Sequence, residues 1–182
     1  NRIVRLDFGS DPTSVPTITT IDVAALGIPA GSDEWGMNIV KDVDAGKWYG
    51  IMADAKRNLL VLDFDNSLAN APVGKVHSFT AAQIPGLIPA DVAIVKYNNQ
   101  WSAFVCYFPA GWSGNASRLV RFDFPAAEGL SAAPTASSPT AVPLVYTDNV
   151  QWNSIGSIAI YEESGEWYMI ALNTLGNTSS VG

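Results

Sequence analysis

One six-residue pattern occurs three times along the chain, and this repetition restricts the fold more than any other feature. The copies are Ile3–Phe8 (IVRLDF), Leu59–Phe64 (LLVLDF) and Leu119–Phe124 (LVRFDF). From aspartate to aspartate they lie 56 and 60 residues apart. A period of this length arises when one structural unit is repeated along a chain. The sequence therefore predicts a repeat architecture.

A second motif keeps a constant order relative to the first. An apolar run and a short polar turn precede an apolar run that begins with a tryptophan, at Trp48, Trp101 and Trp167. We predict that these three tryptophans are core wedges between repeats. The alternative all-β fold, a β-sandwich, is the weaker interpretation. A sandwich gives no reason for two motifs to recur three times in a constant order.

Each repeat contains four β-type segments, rich in β-branched and aromatic residues and bounded by Gly, Pro, Asn or Asp. In the central repeat they are residues 91–97, 101–108, 117–124 and 142–147. Four short strands per repeat are typical of a β-propeller blade. The first, innermost strands of the successive blades are expected at about 36–42, 91–97 and 156–161.

The motif order resembles NHL-like and other six-bladed propeller repeats. In those families a Gly-x-Ile-Ala-Val strand, a Tyr-Val-Ala-Asp strand and an Arg-Ile-x-x-Phe-Asp strand follow one another. Here Trp48–Asp54 (WYGIMAD) and a turn precede Leu59–Phe64, and the phrase Arg5–Gly9 (RLDFG) is similar to repeats of large secreted bacterial surface proteins. The resemblance implies a propeller fold and a location outside the cell, on a cell surface or a virus particle. It leaves the activity open, because propellers host unrelated functions.

The order of the predicted strands indicates that the whole chain is one propeller segment. It comprises the third and fourth strands of one blade (residues 1–22), two blades (36–79 and 90–147) and the first two strands of a further blade (155–173). We therefore predict an all-β propeller of four-stranded blades, with three blades' worth of strands. Because closed propellers have four to eight blades, we expect an open segment of a larger propeller or half of a six-bladed ring. The remaining blades would come from the same chain or from a second copy.

Composition and charge argue against several classes of partner. Seventeen acidic and ten basic residues give a net charge of −7, so neither nucleic acid nor an anionic membrane is an expected partner. No apolar run is long enough to insert into a bilayer. One histidine, one cysteine and the lack of a calcium-loop pattern lead us to predict no metal, no cofactor and no catalytic residue set.

The isolated and recurrent ionisable residues have structural interpretations. We predict that Cys106 is buried in an apolar strand and that His77 is a solvated residue of an outer strand. Asp7, Asp63 and Asp123 occur once in every repeat, whereas a catalytic residue is needed only once, so we expect them to accept backbone hydrogen bonds at strand ends. The acidic residues of the first hairpins, Asp42, Asp44, Glu162 and Glu163, are expected in solvated turns.

Three tryptophans outside the repeated set suggest a ligand face. Trp35 and Trp152 are expected in the loops before inner strands, and Trp112 in the long loop after a second strand; these loops emerge on one face of a propeller. Aromatic rings there could stack on sugars while amides and carboxylates bind hydroxyl groups. The alternative is that each tryptophan pins its own loop onto the blades. The predicted ligand-binding set is Trp35, Trp112, Trp152, Asp33, Glu34, Asp91, Asn149 and Gln151.

Three functions are compatible with these features. The first is a non-enzymatic binding or structural module that contacts a glycan or a protein through one loop face. The second is a propeller hydrolase or lactonase whose catalytic residues lie partly outside this segment; its candidates here are Asn38, Asp91 and Glu162. The third is a purely architectural spacer in a larger assembly.

Overall fold

The computed structural model of the chain describes residues 2–28, 34–84, 87–109, 117–137, 140–141 and 155–173. Within these residues the chain is built from antiparallel strands and two short 3₁₀ helices, Val23–Leu26 and Gly129–Ser131. The strands are β1 (Arg2–Asp7), β2 (Thr17–Asp22), β3 (Glu34–Asp42), β4 (Lys47–Asp54), β5 (Asn58–Asp63), β6 (Val73–Ser78), β7 (Leu87–Tyr97), β8 (Gln100–Pro109), β9 (Arg118–Asp123), β10 (Thr135–Ala136), β11 (Thr140–Ala141), β12 (Ile155–Glu163) and β13 (Glu166–Asn173). The all-β prediction is confirmed.

The first complete blade is an antiparallel meander with the order β3-β4-β5-β6. Its tightest connection, between β4 and β5, is organised by Asp54. The buried carboxylate accepts hydrogen bonds from the backbone N–H groups of Lys56 and Asn58, both at 2.8 Å, and from the Asn58 side-chain amide at 2.7 Å. These bonds fix the turn that aligns the two buried strands.

The second blade has the order β7-β8-β9, and its outer position is filled by two short segments, β10 and β11, which both pair with β9. The strands predicted at 91–97, 101–108 and 117–124 are observed with small shifts of their ends. The predicted outer strand at 142–147 lies outside the described residues. The segments β10 and β11, which pair with β9, lie earlier in the chain than the predicted strand.

Two half-blades flank the complete blades. The strands β1 and β2 pair with each other at one end, and β12 and β13 pair at the other. After β2, the Asp22 side chain caps the 3₁₀ helix by accepting from the Ala24 N–H, and Gly27 ends it with φ of 79°. This matches the single turn that an Asp-led, Gly-terminated segment predicts.

The hydrophobic core lies between successive blades. Strand β7 packs against β3 on one side and against β12 on the other, which arranges the innermost strands side by side. The largest cluster joins the two complete blades and contains Tyr49 and Ile51 of the first with Val105 and Phe122 of the second. Separate clusters lie between β1-β2 and the first blade, and between the second blade and β12-β13. The result is a propeller-like series of blades.

The recurrent tryptophans and aspartates mostly have the predicted structural roles. Trp101 is buried between blades and Trp48 packs against the β1-β2 side of its blade, whereas Trp167 is 42% exposed. Asp7 and Asp63 each accept a hydrogen bond from the backbone N–H two residues later. For Asp123 that prediction is wrong, because the residue two positions later is Pro125, which has no N–H. Its carboxylate instead accepts from Ser102 Oγ and from the Arg121 guanidinium.

Candidate binding site

The innermost strands share a β-bulge at one position. The register shifts between Trp35 and Met37 in β3, between Pro89 and Asp91 in β7, and between Ile155 and Ser157 in β12. Bulges redirect side chains and are common beside functional sites. The repeated bulge places Asp91 where three inner strands approach one another.

Asp91 is a junction between blades. Its Oδ2 accepts hydrogen bonds from Ser157 Oγ at 2.7 Å and from the Ile158 N–H at 2.9 Å, while Oδ1 accepts from the Val92 N–H. On the other side, Gly36 of β3 approaches so closely that an added Cβ would lie 2.8 Å from Oδ1. The carboxylate proposed as a ligand contact therefore also binds β7 to β12.

The other predicted ligand-binding residues are only partly placed. Glu34 and Trp35 belong to β3, opposite Asp54 and Ala53, so their expected position in a preceding loop is wrong. The strand begins earlier because its bulge at Gly36 lets pairing with β4 continue beyond the expected first residue. Five further residues lie outside the described residues: Asp33, Trp112, Asn149, Gln151 and Trp152. The sugar-binding face therefore stays a prediction.

A polar cavity that the sequence did not predict lies on the opposite side of the blades. We call it the hairpin pocket. It has a volume of about 350 Å³ and is lined by Asp42, Asp44, Lys47, Tyr49, Lys96 and Trp101, with residues around Glu128. The first-to-second-strand hairpins of the two complete blades form its walls. No local sequence pattern predicts it, because Asp42 and Trp101 lie 59 positions apart in the chain.

Asp42 is the most enclosed charge of the hairpin pocket. Its carboxylate accepts from Trp101 Nε1 at 3.1 Å and from Lys96 Nζ at 3.5 Å, and it also accepts from the Ala45 N–H. Burial alone would raise the pKa of Asp42, but these hydrogen bonds and the Lys96 charge outweigh it and lower the pKa. The expectation of a solvated turn is therefore wrong for Asp42.

Lys96 completes this charge network. Its ammonium donates to Asp44 Oδ2 at 2.6 Å, and this hydrogen bond is the main reason why the pKa of Lys96 is raised. The same ammonium lies 5.3 Å above the Trp101 ring. Because Trp101 is buried and Lys96 lies over its ring, the hairpin pocket presents charged side chains rather than a free aromatic face.

The candidates for hydrolysis do not converge. Asn38 lies in β3 opposite Ile51, and Asp91 is engaged at the blade junction. Glu162 accepts from the Gly165 N–H in the β12–β13 hairpin, at the other end of β12 from Ser157. Two carboxyl groups that flank one bond, as glycoside hydrolysis requires, are thus not formed by these three residues.

Cys106 and His77 differ in how well the sequence predicted them. Cys106 is fully buried, and burial raises the pKa of its thiol to about 12, with a smaller contribution from Asp91. His77 is half-buried in β6 rather than solvated, and its Nε2 has no hydrogen-bond partner in the described part of the chain. Burial, with the nearby Lys75 charge, lowers the pKa of His77.

The described ranges contain neither a candidate metal site nor a candidate membrane-spanning helix. There, no group of three or more His, Cys, Asp or Glu residues could hold a metal ion. No helix among these residues is long and apolar enough to cross a membrane.

The fold defines the class of this protein: an all-β, propeller-like protein of four-stranded blades. No protein-family profile matches the sequence, and no curated protein does. One solved structure is similar, a GH43 β-1,3-galactosidase determined with galactodeoxynojirimycin. The TM-score is 0.47 and the sequence identity 20%, over 78% of this chain and 37% of that chain. This chain thus spans little more than a third of that enzyme, and such a likeness assigns it neither ligand nor activity.

Proposed function

We propose that the chain is a non-enzymatic propeller module that contacts a glycan or a protein through one loop face, at the surface of a bacterium or of a virus particle. The observation that supports this is the role of the enclosed carboxylates. Asp42, Asp54 and Asp91 each accept several hydrogen bonds that hold a turn or join neighbouring blades. Carboxylates committed to structure in this way favour a scaffold that presents binding loops.

The proposed ligand face contains Trp35, Trp112, Trp152, Asp33, Glu34, Asp91, Asn149 and Gln151. The chemistry favours a glycan over a protein there, because tryptophan rings stack on sugar C–H surfaces and amides bind hydroxyl groups. The extracellular location and the NHL-like relationship rest on the repeated motifs IVRLDF, LLVLDF and LVRFDF and on their resemblance to secreted surface proteins.

A glycan array probed with the fluorescently labelled chain tests the proposal. We expect binding to at least one glycan class, and a several-fold weaker affinity for Trp112→Ala and Trp152→Ala with an unchanged melting temperature. The matched control is Asn99→Ala at the hairpin pocket, which lies on the opposite side. Loss of binding in the control alone would move the site to the hairpin pocket and contradict the proposed face.

Two alternatives give different results. A hydrolase or lactonase would release product from aryl glycosides or lactones, and mutation of Asp91 or Glu162 would abolish this activity. A purely architectural spacer would bind no glycan, and the tryptophan substitutions would lower the melting temperature instead. Activity that persists after mutation of both Asp91 and Glu162 would show that these two residues are not the catalytic residues.

A further inference from the structure

Strand β1 exposes a row of apolar side chains that its counterparts bury. Val4 and Leu6 are 56% and 49% exposed, and Phe8 follows them on the same side. The aligned residues of the other two motif copies are almost completely buried against the preceding blade: Leu60, Leu62, Phe64, Val120, Phe122 and Phe124. The opposite side of β1 is already covered, since Ile3 packs against the first complete blade. One face of β1 therefore has the pattern of a blade interface, and no blade among the described residues lies beside it.

Strand β13 has the complementary feature at the other end. Its residues Tyr168, Ile170 and Leu172 are exposed, Ile170 to 64%. Aligned on the recurrent tryptophan, they correspond to Tyr49, Ile51 and Ala53 of β4, all of which are buried in the core between blades. Both ends thus present contiguous apolar surface, which soluble proteins usually cover.

The backbone pairing is incomplete in the same complementary way. In both complete blades the second strand pairs with the third, β4 with β5 and β8 with β9. Among the described residues, β13 is a second strand that pairs only with β12, and β1 is a third strand that pairs only with β2. Each therefore has a free edge of N–H and C=O groups of the kind that pairs with another strand.

We propose that two copies of this chain complete each other: β13 of each copy pairs with β1 of the other, which gives a six-bladed ring with two-fold symmetry. Pairing of β13 with β1 inside one copy would close a ring of only three blades, fewer than propellers use. Two copies give six. The contact is isologous, since the same two strands meet twice, so it closes without further addition.

Two apolar cavities lie where the second copy would insert. One has a volume of about 300 Å³ and is lined by residues that include Phe104, Trp167 and Met169; it would receive Leu6 and Phe8 of the second copy. The other has a volume of about 140 Å³. It is bordered by Met37 and Ile39, and it lies beside the place that the exposed face of the second copy's β13 would occupy.

The complete blades also define the register of this pairing. Phe64 and Phe124 each donate a backbone hydrogen bond of 2.9 Å to the carbonyl of the recurrent tryptophan, Trp48 or Trp101. In the same register, Asp63 lies opposite Tyr49, and Asp123 lies opposite Ser102. The equivalent pair between two copies is Asp7 opposite Tyr168.

Cysteine cross-linking tests this register in the full chain. The double variant Asp7→Cys/Tyr168→Cys should form a covalent dimer on mild oxidation, because directly opposed strand residues lie within disulfide distance. The native Cys106 is buried and does not compete. The matched control is Asp7→Cys/Met169→Cys, whose second cysteine lies on the opposite face of the strand. A disulfide within one copy, or equal cross-linking of the control, would overturn the proposal.

Light scattering on charge variants provides an independent test. Wild-type protein should have twice the mass of one chain, and Leu6→Lys and Ile170→Lys should each weaken dimerisation by about a hundredfold or more, since each would bury a charge in an apolar contact. The control is Val15→Lys, a 94% exposed position in the β1–β2 loop. Circular dichroism checks that each variant folds. If a lysine variant unfolds, the cross-linking experiment alone tests the proposed dimer. Monomeric wild-type protein, open-ended oligomers, or dimers unaffected by both lysines would overturn the proposal.

Discussion

Trp101 Nε1 donates a hydrogen bond of 3.1 Å to Asp42 Oδ2, and this bond joins the second strand of one blade to the first strand of the blade before it. The two residues are 59 positions apart in the chain. Lys96 approaches the same carboxylate and also lies over the indole ring. The hairpin pocket is therefore built around a contact that stabilises the interface between blades.

Replacing Asp42 should destabilise this interface. In Asp42→Ala the Trp101 N–H loses its buried acceptor and Lys96 loses a partner, so we expect the free energy of unfolding to fall by about 2 kcal/mol. Urea denaturation at one fixed protein concentration measures this change. Asp44→Ala is the control: its side chain is 76% exposed, and we expect a loss of less than about 1 kcal/mol. Equal effects at the two positions would contradict this role of Asp42.

The stability that Asp42 provides should depend on pH. Because the folded-state pKa of Asp42 is lowered from 3.8, its contribution is complete above that value and is lost as the pH falls through the folded-state pKa. The difference in unfolding free energy between wild type and Asp42→Asn should therefore be largest near neutral pH and shrink in acid below about pH 3.8. Denaturant titrations between pH 7 and pH 3 measure it. A difference that stays constant over this range would refute the charge-based explanation.

Local patterns predicted the strands, whereas contacts between distant residues determined the sites. The tryptophan-led hairpins and the Leu-Asp-Phe strands follow from β-branched runs bounded by turn residues. The outer strand predicted at 142–147 lies outside the described residues, and the short strand Thr135–Ala136 that pairs with β9 escapes such patterns because two residues show no apolar alternation. The burial of Asp42 escapes prediction because the nearby charged residues Lys41 and Asp44 indicate a solvated turn, while its burial depends on Trp101 of the next blade.

Cys106 should be chemically inert in the folded protein. Its side chain is fully buried between the second blade and β12-β13, and burial raises the pKa of the thiol to about 12, so almost no reactive thiolate exists near pH 8. We expect no reaction with a disulfide reagent such as Ellman's reagent at pH 8, and one equivalent of reaction after denaturation. Rapid labelling under native conditions would show that this blade interface opens easily.

Gly36 and Gly46 form a matched pair that tests the junction at Asp91. Both have positive φ, 71° and 67°, so an alanine at either position should cost about 1 kcal/mol through the backbone alone. An added Cβ at Gly46 meets nothing within 4 Å, whereas at Gly36 it would lie 2.8 Å from Asp91 Oδ1 and 2.9 Å from Asp91 Cα.

Gly36→Ala should therefore lower the unfolding free energy by about 1–3 kcal/mol more than Gly46→Ala, because the inner strands β3 and β7 must separate to relieve the overlap. Urea denaturation of both variants at the same concentration gives this difference directly. The displacement should also weaken the bonds from Asp91 to Ser157 and Ile158, which hydrogen exchange at the Ile158 amide would report as faster exchange. Equal stability of the two variants would mean that β3 and β7 do not pack this closely around Asp91.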